Sequence, residues 1–188
     1  YWGQTLLCAY TDASNYTEVA IDNSGSMDYL NVTGGSTDGR RTTNRKFRDP
    51  AAWYHMVIVW DSANVTALDR MKVYINGVQE TSFSDTTNPS SSLNSIMNST
   101  APQEIGSRAG GASYFNGAMA HTHFADGQAY APTVFGEVDS TSGIWVAKTS
   151  PSVTYGTNGY FLKYASGAFG TDSSGESNTM TVAGTMTA

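Results

Sequence analysis

The 188-residue chain is 39% hydrophobic, only 14% charged and carries a net charge of −6. That length suits one well-buried domain. The acidic balance argues against nucleic acid as a general partner, and no apolar run is long enough to insert in a bilayer as a spanning helix. Helix formers are scarce, while Val, Ile, Tyr, Phe, Trp and Thr recur between Gly, Ser, Asn and Asp, which predicts strands joined by polar turns.

In chain order, Leu6 to Tyr10 and Tyr16 to Ile21 read as two strands joined by the turn Thr11 to Asn15. Tyr29 to Val32 is a third strand, closed by Gly34-Gly35. Residues 36–49 hold the one basic cluster, Arg40, Arg41, Arg45, Lys46 and Arg48, and Asp49-Pro50 marks a turn after it. Trp53 to Asp61 is apolar on both faces, as a strand buried between two layers reads. Met71 to Asn76 alternates instead, with Met71, Val73 and Ile75 inward. Asn76-Gly77 then offers the positive-φ pair of a tight hairpin, with Val78 to Phe83 as the return strand. Residues 84–103 form a long polar loop. Gln103 to Ser107 is a short strand, Tyr114-Phe115 starts another at Asn116-Gly117, and Ala118 to Ala125 is a strand with His121 and His123 on one face. Pro132 to Glu137 reads as one helical turn, Trp145-Val146 and Tyr160 to Tyr164 as late strands, and Met180 to Val182 as a weak terminal one.

The chain opens at Tyr1 in strand-like sequence and closes in a Thr-rich stretch, so both ends read as cut from something longer. Cys8, the one cysteine, excludes an internal disulfide and in the run Leu6-Leu7-Cys8-Ala9 reads as a small buried apolar side chain. About ten short strands leave a sandwich or a barrel, and the doubly buried strand favours a sandwich.

Several phrases together resemble the laminin-G-like, concanavalin-A-like jelly-roll domains: Trp53-Tyr54-His55, Val57 to Asp61, Tyr74-Ile75-Asn76-Gly77, Glu104-Ile105-Gly106 and Phe115-Asn116-Gly117-Ala118. The longer phrases RKFRDPAAWYH, FADGQAYAPTVFGE, GIWVAK, YGTNGYFLKYA and GTDSSGESN are similar, in order and spacing, to such domains in structural proteins of marine bacteriophages. The resemblance implies an all-β, antiparallel jelly-roll β-sandwich over residues 1–170, with its first strands before Tyr1. Residues 171–188 would be a polar tail or the start of a following segment. It also implies a place in a virion, as tail fibre, adhesin or capsid decoration. The partners would be other virion subunits or copies of the chain, with a host-surface glycan as ligand.

Catalysis is not expected. A glycan hydrolase needs two carboxylates across the scissile bond, yet Glu18, Glu80, Glu104, Glu137 and Glu176 are scattered, and no E-x-D-x-x-E, G-x-S-x-G or HExxH occurs. His121 and His123 could share a metal with His55 or Asp126 as third ligand, or simply lie on the solvent side of an outer sheet. Asp172, Ser174, Glu176 and Asn178 place oxygens at alternate positions around a glycine, which makes either a calcium loop or a solvated turn. Arg40, Arg41, Arg45, Lys46 and Arg48 would dock an acidic neighbour or an anionic glycan, or else protect a strand edge. A glycan site needs an exposed aromatic with amide and carboxylate partners. Tyr114, Asn116, Asp126 and Tyr130 are the candidates, with Tyr155, Asn158 and Tyr160 as further ones, and the loops 84–103 and 108–114 would present such groups.

Overall fold

The computed structural model describes residues 3–108 and 112–185. Its first four strands, β1 (Gln4–Asp12), β2 (Asn15–Ile21), β3 (Ser26–Thr33) and β4 (Ser36–Lys46), form an antiparallel meander. Short polar side chains build its turns. Asp12 Oδ1 accepts the Ser14 N–H at 2.7 Å, and Asp22 Oδ1 accepts those of Ser24 and Ser26 at 2.8 and 2.9 Å. At the β3–β4 turn Gly34 and Gly35 adopt φ of +58° and +80°, a region that a Cβ disfavours.

The basic segment is an eleven-residue strand, which its polar sequence concealed. It lies inside the sheet and not at an edge, because β8 (Phe83–Thr87) pairs along its other side. β9 (Gln103–Ile105) pairs with β1, giving the six-stranded order β8-β4-β3-β2-β1-β9. A second sheet holds β5 (Met56–Trp60), β6 (Met71–Ile75) and β7 (Val78–Gln79).

The two sheets bury Val19, Met27 and Tyr29 against Met71, Val73 and Ile75, with Tyr54, Met56, Ile58, Trp60 and Phe83 packed around them. The alternation read for β6 is the one observed: Met71, Val73 and Ile75 are all buried. Each such side chain contributes roughly 1.5–3 kcal/mol through burial. The architecture is the expected all-β antiparallel sandwich. Among the described residues, no helix is long and apolar enough to cross a membrane.

Several boundaries differ from expectation. The hairpin return ends at Gln79, because the chain then leaves for the other sheet. Glu80, buried at this crossing, accepts Arg45 Nε at 2.9 Å. The front of the 84–103 segment is therefore strand β8, and its remainder is anchored at buried Pro89, Ser95 and Met97 while residues 90–92, 94 and 98–100 stay exposed. Ile96 and Met97 donate backbone N–H groups to Asn31 Oδ1 and Thr17 Oγ1, and Met97 is buried. Tyr114-Phe115 is not a strand, and of 118–125 only β10 (Thr122–Phe124) is. A 3₁₀ turn at Pro132–Val134 leads into β11 (Gly136–Val138), which pairs with β12 (Trp145–Ala147), while β10 pairs with β13 (Tyr160–Leu162). Residues 180–182 form no strand. Trp53, expected in the buried strand, precedes β5 and is 66% exposed.

Candidate functional site

Three clusters of chemistry-bearing side chains result. The first covers the face of the six-stranded sheet that points away from the core. Strand alternation places Glu18 of β2 and Asp28 of β3 there, lining a shallow cleft with Gly3, Ala20, Asp22 and Leu30. Asp28 is 4% exposed and fully engaged: Arg40 forks onto it with two contacts of 3.0 Å, and Thr42 Oγ1 donates at 2.7 Å. Burial pushes its carboxyl up to about 6, the Thr42 bond opposes this, and Asp22, Asp85 and Glu18 add to the rise. Glu18 accepts Thr5 Oγ1 at 2.6 Å and stands 3.5 Å from Arg108, whose guanidinium lies over the rings of Tyr10 and Tyr16. Glu18, one of the scattered acids in the sequence, thus shares a sheet face with Asp28. The alternation of Tyr16, Glu18 and Ala20 beside Asp28, Leu30 and Val32 was the signal that both carboxylates share a face.

The basic cluster is thereby divided. Arg40 is held by Asp28 and Asp85. Arg41 is 2% exposed and donates to the carbonyls of Arg40 and Thr87 and to Asn88 Oδ1. Neither adds to an exposed patch, which corrects the view of five residues acting as one surface. Arg45, Lys46 and Arg48 are exposed at the end of β4 and just beyond it.

The second cluster gathers the histidines. His123 stacks on Phe161 at 4.0 Å between centroids and shares a 2.7 Å hydrogen bond between Nδ1 and the Tyr155 hydroxyl. His121, at φ +52°, meets the same Phe161 ring edge-on at 5.2 Å. Burial, then His121 and His55, push His123 down to about 4. The pair is an aromatic microcore and not a solvent-facing pair. Its proposed third ligands are occupied elsewhere. His55 Nδ1 accepts Trp145 Nε1 at 3.0 Å, and Asp126 accepts the Asn158 amide at 2.8 Å. Among the described residues, no group of three or more His, Cys, Asp or Glu side chains is placed to hold a metal.

The third cluster is the Asp172 loop. Asp172 Oδ1 accepts the N–H groups of Phe161 and Ser174, each at 2.8 Å, and Oδ2 accepts Ser174 Oγ at 2.8 Å and Asn178 N–H at 2.9 Å. Burial alone would raise its pKa, but these donors outweigh it and hold the carboxylate below its ordinary value. Asn178 turns its amide to the carbonyls of Thr157 and Gly159 at 2.9 and 2.8 Å. The oxygen chemistry suits calcium, but all four donors converge on Asp172, so an ion would need the loop to open. As folded, the loop clasps residues 172–178 to β13.

The glycan candidates fall in two places. Tyr114 is 67% exposed; its neighbour Asn116 is tied to Gln4, its N–H donating to Oε1 at 3.0 Å. Asp126 and Tyr130 sit together against 154–158, where the Tyr130 hydroxyl accepts the Thr154 N–H at 3.0 Å and Asp126 holds Asn158. Tyr155 and Tyr160 are 7% and 2% exposed and are core residues, which removes them as sugar platforms. Of the loop expected at 108–114, residues 109–111 lie outside the described residues.

No curated protein and no solved structure matches the chain. A laminin-G-like family model, described as the concanavalin A-like lectin/glucanases superfamily, matches residues 1–131 and ends between β10 and the 3₁₀ turn at Pro132. That match takes in both sheets of the sandwich and covers well over half of the sequence, so the chain belongs to the laminin-G-like branch of the concanavalin A-like lectin/glucanases superfamily.

Proposed function

We propose that this is a non-catalytic adhesion module of a bacteriophage particle, binding glycan on a host surface through loops at the rim of the sandwich. Tyr114 carries the reading. It is a large aromatic standing 67% exposed on a loop whose next residues are tied to β1, so a platform for a sugar ring is both available and positioned. The state of the carboxylates supports the absence of catalysis. Asp28, whose raised pKa would suit a general acid, has its oxygens taken by Arg40 and Thr42, and Glu18 is taken by Thr5 and Arg108. The similarity of the five long phrases to phage structural proteins supports the virion setting. Affinity at one such site is modest, and repetition on a particle supplies avidity.

A glycan array probed with the chain and with Tyr114→Ala tests this. Binding that the substitution weakens about tenfold or more is expected; no binding to any sugar would remove the reading. The capsid-decoration alternative, in which Arg45, Lys46 and Arg48 contact neighbouring subunits, predicts co-sedimentation with particles that high salt releases. Calcium belongs to the same reading only if adding it raises both glycan binding and melting temperature, and if Asp172→Asn abolishes both effects.

A further inference from the structure

Strand β5 has one open side. The Asn76 N–H donates to the His55 carbonyl, and the Asp61 N–H to the Arg70 carbonyl, each at 2.8 Å. Bonded residues alternate along an antiparallel pair. By the register, Val57 and Val59 therefore also bond to β6, while Met56, Ile58 and Trp60 turn their N–H and C=O groups the other way. Among the described residues none of those groups has a hydrogen-bond partner. The inward side chains of the same residues are only half-buried, whereas Met71, Val73 and Ile75 on β6 are 1%, 0% and 2% exposed. The core is closed under β6 and open at the β5 margin.

Sheet margins are ordinarily guarded by shortness, charge, proline or a bulge. β7 and β9 are short, and β8 carries Asp85, held by Arg40. β5 has no such guard: Met-Val-Ile-Val-Trp is uncharged, and its register with β6 runs without a shift. An edge of this kind is a template for one more strand. That strand must be extended and uncharged, with an apolar side chain at every second position to cover Met56, Ile58 and Trp60.

The chain carries a segment of that description. Residues 179–185 read Thr-Met-Thr-Val-Ala-Gly-Thr, uncharged, with Met180 and Val182 set between β-forming threonines. In its own chain this segment lies off β5. The Met180 N–H donates to the Gly170 carbonyl at 2.8 Å, and residues 181–185 are exposed, outside any strand and without a hydrogen bond among the described residues. The bond from the Asn178 N–H to Asp172 fixes the point from which the segment departs. We propose that residues 179–185 of one copy add to β5 of a second copy as a fourth strand of its smaller sheet, with Met180 and Val182 turned inward. Donor and acceptor are different surfaces, so the contact is head-to-tail and can propagate along an array. It is independent of the glycan platform at Tyr114.

Sedimentation velocity of the whole chain over a concentration series, joined to residue-resolved amide exchange, tests the contact. The parent should form assemblies that grow with concentration. The double variant Met180→Asp with Val182→Asp should stay monomeric and, in dilute solution, keep the parent melting temperature, because it alters only the tail. A peptide of residues 177–188 added to that variant should slow exchange at the Met56, Ile58 and Trp60 amides at least tenfold. Val57 and Val59, already bonded to β6, should not change. A parent that is monomeric at every concentration, assembly that the variant retains, or a peptide that leaves the three amides unaffected would overturn the proposal. Slow exchange at those amides in the variant without peptide would overturn it too, because the edge would then be covered within one chain. Equal protection by an unrelated alternating peptide, Lys-Thr-Val-Thr-Val-Thr-Lys, would overturn the second copy as donor in favour of a foreign strand.

Discussion

The His123 microcore makes the stability of this protein depend on pH in a way that can be isolated. In the native fold His123 stays neutral down to about 4, whereas in the unfolded chain it takes a proton near its ordinary value of 6.5. Between those values the unfolded state binds more protons, so stability rises with pH there. The contribution is fully present above pH 6.5 and is lost as pH falls towards 4. At 1.36 kcal/mol per pH unit the full distance corresponds to about 3 kcal/mol; partial solvent access reduces this to about 2 kcal/mol. For a domain of this size that is about 4–8 °C in Tm. The assay is thermal melting followed by circular dichroism from pH 4 to 7.5, on the parent chain and on His123→Phe. The variant keeps a ring on Phe161 but loses the bond to Tyr155, so it melts lower at pH 7.5. The gap should narrow by about 2 kcal/mol on acidification, because only the parent has this proton to take up. His55, also depressed by burial, acts in the same direction in both proteins, and Asp28, raised to about 6, acts in the opposite direction in both, so the difference isolates His123. A gap that stays constant across the range would refute the reasoning.

Arg40→Ala leaves the buried Asp28 carboxylate without its fork and should cost roughly 3–5 kcal/mol at pH 7 in urea unfolding. The cost should shrink near pH 5, where Asp28 can protonate. Gly39→Ala would set a Cβ 2.8 Å from the Trp60 ring and 3.3 Å from Met71 Sδ, so about 1–3 kcal/mol of destabilisation with a shifted Trp emission is expected. Asp172→Ala removes the acceptor of four donors and should cost about 1–3 kcal/mol. Amide exchange at Phe161 should accelerate well above that at Val73, whose strand the clasp does not touch.

The strands that could be read are those whose apolar side chains repeat with a clear period. β6 was legible residue by residue and β2 nearly so, while of β1 and β3 only the apolar stretches Leu6 to Tyr10 and Tyr29 to Val32 were. β4 was not, because its buried positions are Gly39, Arg41, Thr42 and Thr43, whose burial is made tolerable by hydrogen bonds to partners up to 47 residues away. The crossing after Gln79 was hidden for the same reason: Glu80 belongs to the interior through Arg45, a pairing that no local pattern announces. Trp53 failed in the opposite direction, since its apolar character suggested core where the chain places it in solvent. The alternate oxygens of the Asp172 loop were visible, but the Phe161 amide that one of them serves lies in another strand.

The placement of β8 and β9 has a consequence for how the chain reaches this state. The meander β1 to β4 joins neighbours in sequence, but β9 meets β1 across the pairing of Leu7 with Ile105, and β8 meets β4 across Arg41 and Thr86. Both margins of the larger sheet therefore close only after long loops have been drawn in, and that entropy is lost before the contacts are gained. Refolding should then be slow for a single domain. The intermediate most exposed to intermolecular strand pairing is a four-stranded meander with β1 and β4 unprotected.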